Sequence, residues 1–188
     1  MATLSEPSIE LLDKCRKGSK SAFAEIFHGY KSYAYNLIYK ITGPCADHED
    51  LLQDAFFQVY LSLRTFKGDS SFKTWFHRIV VHACTRHWRH INTAKRISPR
   101  DTVSYEEFEF CINSSEKGND HQTELRDLVD KALAQLDISL KIPLVLHVYS
   151  DMDLCEIGSI LGIPEGTVKS RLFTARKKLK TCLDTLEP

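Results

Sequence analysis

The chain lacks any long apolar stretch. Its longest uncharged runs are nine residues, Ala55–Leu63 and Ile142–Ser150, against the roughly twenty apolar residues that a membrane-spanning helix needs. The opening residues, MATLSEPSIELLDK, hold no basic segment followed by an apolar run, so no secretory signal is expected. Charge of one sign is not in excess either: 25 Lys and Arg balance 25 Asp and Glu, and net charge therefore says nothing about a partner. Cys15, Cys45, Cys84, Cys111, Cys155 and Cys182 form no Cys-x-x-Cys pair. In a chain of 188 residues without a signal they read as reduced thiols of a cytoplasmic protein. There is no phosphate-binding Gly-rich loop, no GxSxG and no HExxH, so neither an enzyme nor a bound cofactor is expected. No segment alternates with period two between hairpin turns, which excludes an obvious sheet.

What the chain does have is 43% hydrophobic residues, enough for real cores, and an uneven distribution of charge. Residues 1–95 carry thirteen basic and nine acidic residues, residues 96–123 three and six, and residues 124–188 nine and ten. From Lys73 to Arg96 there are six basic residues, four histidines and no acid, and from Gly166 to Lys180 six basic residues and again no acid. Two basic stripes on either side of an acidic stretch point to a bipartite reader of a polyanion. The middle segment, rich in Ser, Asn, Asp and Glu and without apolar periodicity, reads as a flexible linker. The expected architecture is all-α, with two helical domains, 1–95 and 124–188, joined by the linker 96–123.

In the first module Ala22, Phe23, Ile26, Phe27, Tyr30, Ala34, Leu37, Ile38 and Ile41 recur at helical spacing, and Thr42-Gly43-Pro44 breaks the pattern. A second helix is expected from about Asp47 to Leu63, a loop at Lys67–Ser71, and a third helix from about Phe72 to His90. At about 100° per residue, Leu52, Ala55, Phe56, Val59 and Leu63 share the inner side of the second helix. Asp50, Gln53, Asp54 and Phe57 share the outer side. That face fits either a solvated surface with one stray ring or a docking surface for a basic partner helix.

In the second module Asp153 is placed to cap a helix with Glu156 as its capping-box partner. Leu154, Ile157, Ile160 and Leu161 form its apolar face, Gly162 ends it, and Pro164 opens the next helix. Val168, Leu172, Ala175 and Leu179 then recur as one buried stripe. This is a helix-turn-helix. Gly166, Ser170, Phe173, Thr174 and Lys177 lie opposite that stripe, flanked by Lys169, Arg171 and Arg176. Short polar groups and a ring suit base edges in a major groove, and the cations suit phosphates or guanine edges.

The other basic stripe places Lys73, Arg78, Arg86 and Arg89 among Phe72, Trp75, Phe76 and Trp88. This composition fits a platform for single-stranded nucleic acid, and equally a helix whose rings are core and whose cations are solvated. Cys84, His87 and His90 step by three with no nearby carboxylate, and no zinc signature is present, so no metal site is expected.

The order of these parts resembles a known family. Ala22–Cys84 looks like region 2, and Ile142–Leu179 like region 4, of an extracytoplasmic-function (ECF) sigma factor of the sigma-70 family. The most specific pieces are DLLQDAF, F-x-GDSSF-x-TW-x-x-RI and GTVKSRLF-x-AR-x-KL, in that order. The resemblance implies a factor that binds bacterial core RNA polymerase and directs promoter-specific initiation. It implies that Asp50, Gln53, Asp54 and Phe57 dock on the clamp coiled coil of β′. It also implies that the loop from Phe66, with Lys67, Phe72, Lys73, Trp75, Arg78, His82 and Arg86, serves the −10 element of promoter DNA and captures a flipped base. The −35 element would be read by Gly166, Lys169, Ser170, Arg171, Phe173, Thr174, Arg176 and Lys177, with region 4 also packing on the β flap. The acidic linker would thread toward the RNA exit path, and an anti-sigma factor is implied as a partner. No membrane insertion is implied.

Two departures stand out. Val80 and His82 occupy positions where the family commonly has Ala and Asn, and Asp151-Met152-Asp153 stands where it usually has Gly-Leu-Ser. The competing readings are a stand-alone helix-turn-helix regulator and a sigma mimic that titrates an anti-sigma factor. The first leaves the aromatic-basic stripe unexplained, and the second should have lost the basic recognition face.

Overall fold

Serine side chains start the first two helices. Ser8 Oγ accepts the amide of Leu11 at 3.2 Å and Ser19 Oγ that of Ala22 at 3.3 Å, each taking up one of the donors that a helix N-terminus leaves unpaired. These caps open α1 (Ile9–Arg16) and α2 (Lys20–Thr42). Gly43, at φ 76°, ends α2. Then come α3 (His48–Ser62), a 3-10 turn (Leu63–Thr65) and α4 (Phe72–Ile97). In the computed structural model the described residues are 5–45, 47–97 and 128–186, so the expected linker falls almost wholly outside them. Residues 128–134 are helical (α5), followed by α6 (Ile138–Val148), α7 (Leu154–Leu161) and α8 (Glu165–Leu186). Among the described residues the fold is all-helical.

The expected inner face of α3 is the buried one: Leu52, Ala55, Phe56 and Val59 in the helix and Leu63 in the turn after it. Several helices differ from expectation. No helix is expected at α1, which has eight residues, of which only Leu12 and Cys15 are buried, too few for a period to register; α5 and α6 are not expected either. Helix α4 runs seven residues past His90.

The helix-turn-helix forms as its local signals require. Asp153 Oδ1 accepts the Glu156 amide at 2.8 Å and Glu156 Oε2 accepts the Asp153 amide at 3.1 Å, a closed capping box. Gly162 is left-handed at φ 66°, a conformation glycine adopts without steric cost. Asp151 is also left-handed, at φ 51°. Aspartate tolerates this better than most side chains, which explains how it stands where the resemblance implies glycine. At Gly158 a Cβ would lie 2.8 Å from the Ile163 carbonyl oxygen, so α7 can meet the turn this closely only without a side chain there. Gly158→Ala is therefore expected to destabilise the chain by about 1–3 kcal/mol in thermal or urea unfolding. Gly166→Ala meets nothing within 4 Å and is expected to cause no loss.

The two modules are not separate bodies in this structure. Their buried residues form one continuous cluster, with α2 and α4 lying against α6 and α7. Tyr33 stacks on Tyr149, centroids 5.5 Å apart. Its hydroxyl lies 2.7 Å from His77 Nε2 and 2.8 Å from Ser150 Oγ. His77 is fully buried, and its Nδ1 donates to the Lys73 carbonyl at 2.6 Å. Burial holds this ring neutral, with its pKa lowered to about 4.

Candidate nucleic-acid and polymerase interfaces

Three surfaces carry the residues singled out above. The first is the outer face of α3. Asp50 and Gln53 are exposed, Asp54 is half-buried and Phe57 is 57% exposed. Leu61, one turn beyond Phe57 and 52% exposed, extends the stripe, as the helical spacing of four could have indicated. A row of carboxylates leading into two large apolar side chains is costly to leave facing water and suits a partner of basic and apolar character.

The second surface is the loop after Phe66 and the start of α4. Here the reading of the rings as core holds for Phe66 and Phe72. Phe72 is 1% exposed and Phe66 is buried. Their rings and that of Trp75 pack on one another, with centroids 4.9 Å (Phe66 to Trp75) and 5.3 Å (Phe72 to Trp75) apart. Tyr30 meets Phe72 edge-on at 5.3 Å. These rings hold the loop to the core, with Phe66 and Phe72 buried and Trp75 half-buried. Lys67 is exposed and Lys73 half-buried. Arg78, His82 and Arg86, four residues apart, form the exposed ridge of α4.

Two of these cations are already engaged. Arg78 Nη2 donates to the carbonyl and hydroxyl of Ser159 at 3.0 and 2.9 Å, across the junction of the modules. Arg86 pairs with Asp54 at 2.5 Å, so one residue assigned to polymerase docking holds one assigned to the −10 element. Thr74 Oγ1 adds a bond to Glu156 Oε1 at 3.2 Å. Beside these contacts runs a groove of about 770 Å³ between α4 and the C-terminal helices, floored by Ile79, Ile142 and Ile160 and edged by Arg78, Arg86 and Arg171.

The third surface is α8. Val168, Leu172 and Ala175 are buried, which turns Gly166, Lys169, Ser170, Phe173, Thr174, Arg176 and Lys177 outward. Phe173 is 72% exposed. Arg171 differs: it is half-buried and turned to the groove. The hydroxyls of Ser170 and Thr174 donate to carbonyls of their own helix, Thr167 and Ser170, at 2.9 and 3.0 Å. Among the described residues no group of three potential ligands is placed to hold a metal ion, and no helix is long and apolar enough to cross a membrane.

Among the described residues an all-helical fold presents an acidic-apolar face, a cationic ridge and an outward basic helix-turn-helix, the features expected of a nucleic-acid-binding factor with a protein partner. Comparison with known proteins makes the class specific. Residues 26–93 match the family model described as Sigma-70 region 2, and residues 126–179 that described as Sigma-70, region 4. The chain is 30% identical over 173 residues to the ECF RNA polymerase sigma-E factor of Escherichia coli K12, covering 90% of each. It is 28% identical over 189 residues to the RNA polymerase sigma-H factor of Pseudomonas aeruginosa, covering 96% of each.

Two solved structures share the fold. CnrH in complex with the cytosolic domain of CnrY has a TM-score of 0.67 at 22% identity, covering 94% of this chain and 96% of that one. The sigma factor RpoE in complex with the anti-sigma factor NepR from Bartonella quintana has a TM-score of 0.68 at 20% identity, covering 86% and 96%. The chain belongs to the ECF group of the sigma-70 family. It is a promoter-directing sigma factor, and such factors are initiation factors and not catalysts.

Proposed function

We propose that the three surfaces divide the work of initiation along the chain, with 1–95 and 124–188 as the two functional domains and 96–123 as their linker. The outer face of α3 docks on the β′ clamp coiled coil. The loop after Phe66 and the ridge of α4 engage the −10 element, and α8 enters the major groove at −35 while its domain rests on the β flap. In this role Phe66, Phe72 and Trp75 frame the loop, and Lys67, Arg78, His82 and Arg86 meet the strand.

The observation that carries this reading is the exposed arrangement of α8: a buried apolar stripe with an acid-free cationic face directly opposite. A second observation bears on regulation. Arg78 is tied to Ser159 across the junction of the modules, so the closed arrangement withholds this −10 cation. We take this to be the arrangement that an anti-sigma factor holds. Of the two solved structures named above, one is of a sigma factor in complex with an anti-sigma factor and the other of CnrH in complex with the cytosolic domain of CnrY, which supports it. Core polymerase would then release the junction.

The test is transcription in vitro from fragmented genomic DNA, with purified chain and bacterial core polymerase. Transcript starts that share a spaced −35/−10 pair and vanish without the protein are expected. Core binding with no protein-dependent start would overturn the reading in favour of a mimic. Replacing Lys169 and Arg176 with Ala is expected to weaken promoter binding and to reduce the slope of log K against log salt by about two, roughly one per lost phosphate contact. An unchanged slope would remove α8 from the phosphate backbone.

A further inference from the structure

We infer that Glu6 and Arg16 are positioning residues for the loop that opens the promoter, pinning its two ends from the N-terminal segment. This inference rests on the assignment of that loop to the −10 element. The loop leaves the 3-10 turn at Phe66 and enters α4 at Phe72. At its start, Arg16 Nη2 donates to the Phe66 carbonyl at 2.7 Å, and the guanidinium lies 5.7 Å from the centroid of the Phe66 ring. Asp13 Oδ1, at 2.9 Å, holds the other terminal nitrogen of Arg16. At the loop's end, the amides of Phe72 and Lys73 donate to the two carboxylate oxygens of Glu6 at 3.0 and 2.9 Å.

The N-terminal segment is itself anchored. Tyr30 donates its hydroxyl proton to the Ser5 carbonyl at 2.7 Å, and Ser8 caps α1. Glu6 and Arg16 therefore act from fixed positions. Both contacts are hydrogen bonds to a charged group, stronger than neutral ones, and the carboxylate also meets the positive end of α4.

Helix α4 does not depend on Glu6 for its start. Ser71 Oγ accepts the Thr74 amide at 3.0 Å and the Ser71 carbonyl accepts the Trp75 amide at 3.1 Å, a cap supplied from within the loop. What Glu6 adds is a tie across 66 residues of chain between the loop's end and the N-terminal segment. Between the two pins the loop stands free. Lys67, Gly68, Asp69 and Ser70 are exposed, and Gly68 is left-handed at φ 83°. A loop held at both ends and open at its tip is pre-organised: it pays little ordering cost when it captures a base. Loosening either end transfers that cost to the opening step, while the α3 face and α8, which Glu6 and Arg16 do not touch, keep their geometry.

The test uses the full chain assembled with core polymerase on a promoter obtained by start mapping. Three quantities are read: affinity for core, retention on duplex DNA carrying only the −35 element, and the rate of −10 opening followed by 2-aminopurine fluorescence. Glu6→Ala and Arg16→Ala are each expected to slow opening roughly tenfold with core affinity and −35 retention unchanged. Glu6→Asp, which keeps the carboxylate, should recover part of the rate, and Glu6→Gln, which keeps one acceptor oxygen, should fall between. Unchanged opening rates in both Ala variants would overturn the inference. So would a parallel loss of core affinity, −35 retention and thermal stability, including in Glu6→Gln, because that is the mark of general unfolding. If the wild-type chain itself binds core but opens no promoter, the assignment of the loop fails and this inference with it, a result distinct from a selective loss in the variants.

Discussion

Reversing the charge at Asp50 is expected to lower the affinity of the chain for core polymerase roughly 100-fold. Asp50 is exposed and makes no ion pair among the described residues, so its charge is free for a partner. Placing a like charge against a basic helix costs several kcal/mol, and about 3 kcal/mol is a factor of roughly 100. Asp54 is the poorer choice for a clean experiment, because its reversal also releases Arg86. Phe57→Ala should act in the same direction, since a large exposed ring at the centre of a stripe is the kind of side chain that anchors an interface. Competition binding with labelled sigma reads both, and unfolding of the free Asp50→Lys variant should be unaltered because the side chain supports nothing in its own chain. Unchanged affinity would remove α3 from the polymerase contact.

Acidification is expected to cost this protein stability through His77. The ring is fully buried between α2 and the C-terminal module, and its pKa is lowered from 6.5 to about 4, mainly by desolvation, with the Lys73 charge acting in the same direction and the Lys73 carbonyl opposing it. The unfolded chain takes up a proton as pH falls below about 6.5, whereas the folded chain resists until about 4. Stability from this group is therefore whole above the unfolded pKa and is lost as pH falls through that window, by up to about 3 kcal/mol. His48, also buried and lowered by desolvation, adds a loss of the same sign. Urea unfolding of wild type and His77→Gln at about pH 7 and about pH 4.5 isolates the contribution. The wild-type advantage should shrink on acidification, and a constant difference between the two proteins would show that His77 does not titrate in this way.

Those two residues mark how differently the chain yields to reading. The place of Asp50 and Phe57 on one side of α3 follows from helical phase once Leu52, Phe56 and Val59 are taken as core, and the buried residues bear it out. His77 shows no such signal. It lies in a basic stripe with three other histidines, and the period alone does not tell which of them meets Tyr33, 44 residues before it, whose hydroxyl also bonds Ser150. The rings of α4 pose the same problem. Phe72 and Phe76 are buried while Trp88 is partly exposed, although composition treats all of them alike.

Everything legible in the linear chain has its cause within about one or two helical turns: the inner face of α3, the capping box of Asp153 and Glu156, the left-handed Gly162, the buried stripe of α8. Such features depend on backbone donors and side chains a few residues apart, so composition and spacing suffice. The pairing of Asp54 with Arg86, the grip of Ser159 on Arg78 and the pins at Glu6 and Arg16 each join residues 32 or more positions apart. They arise when packed helices bring those side chains together, and packing responds to shape and burial in three dimensions, for which neither helical period nor net charge is a proxy.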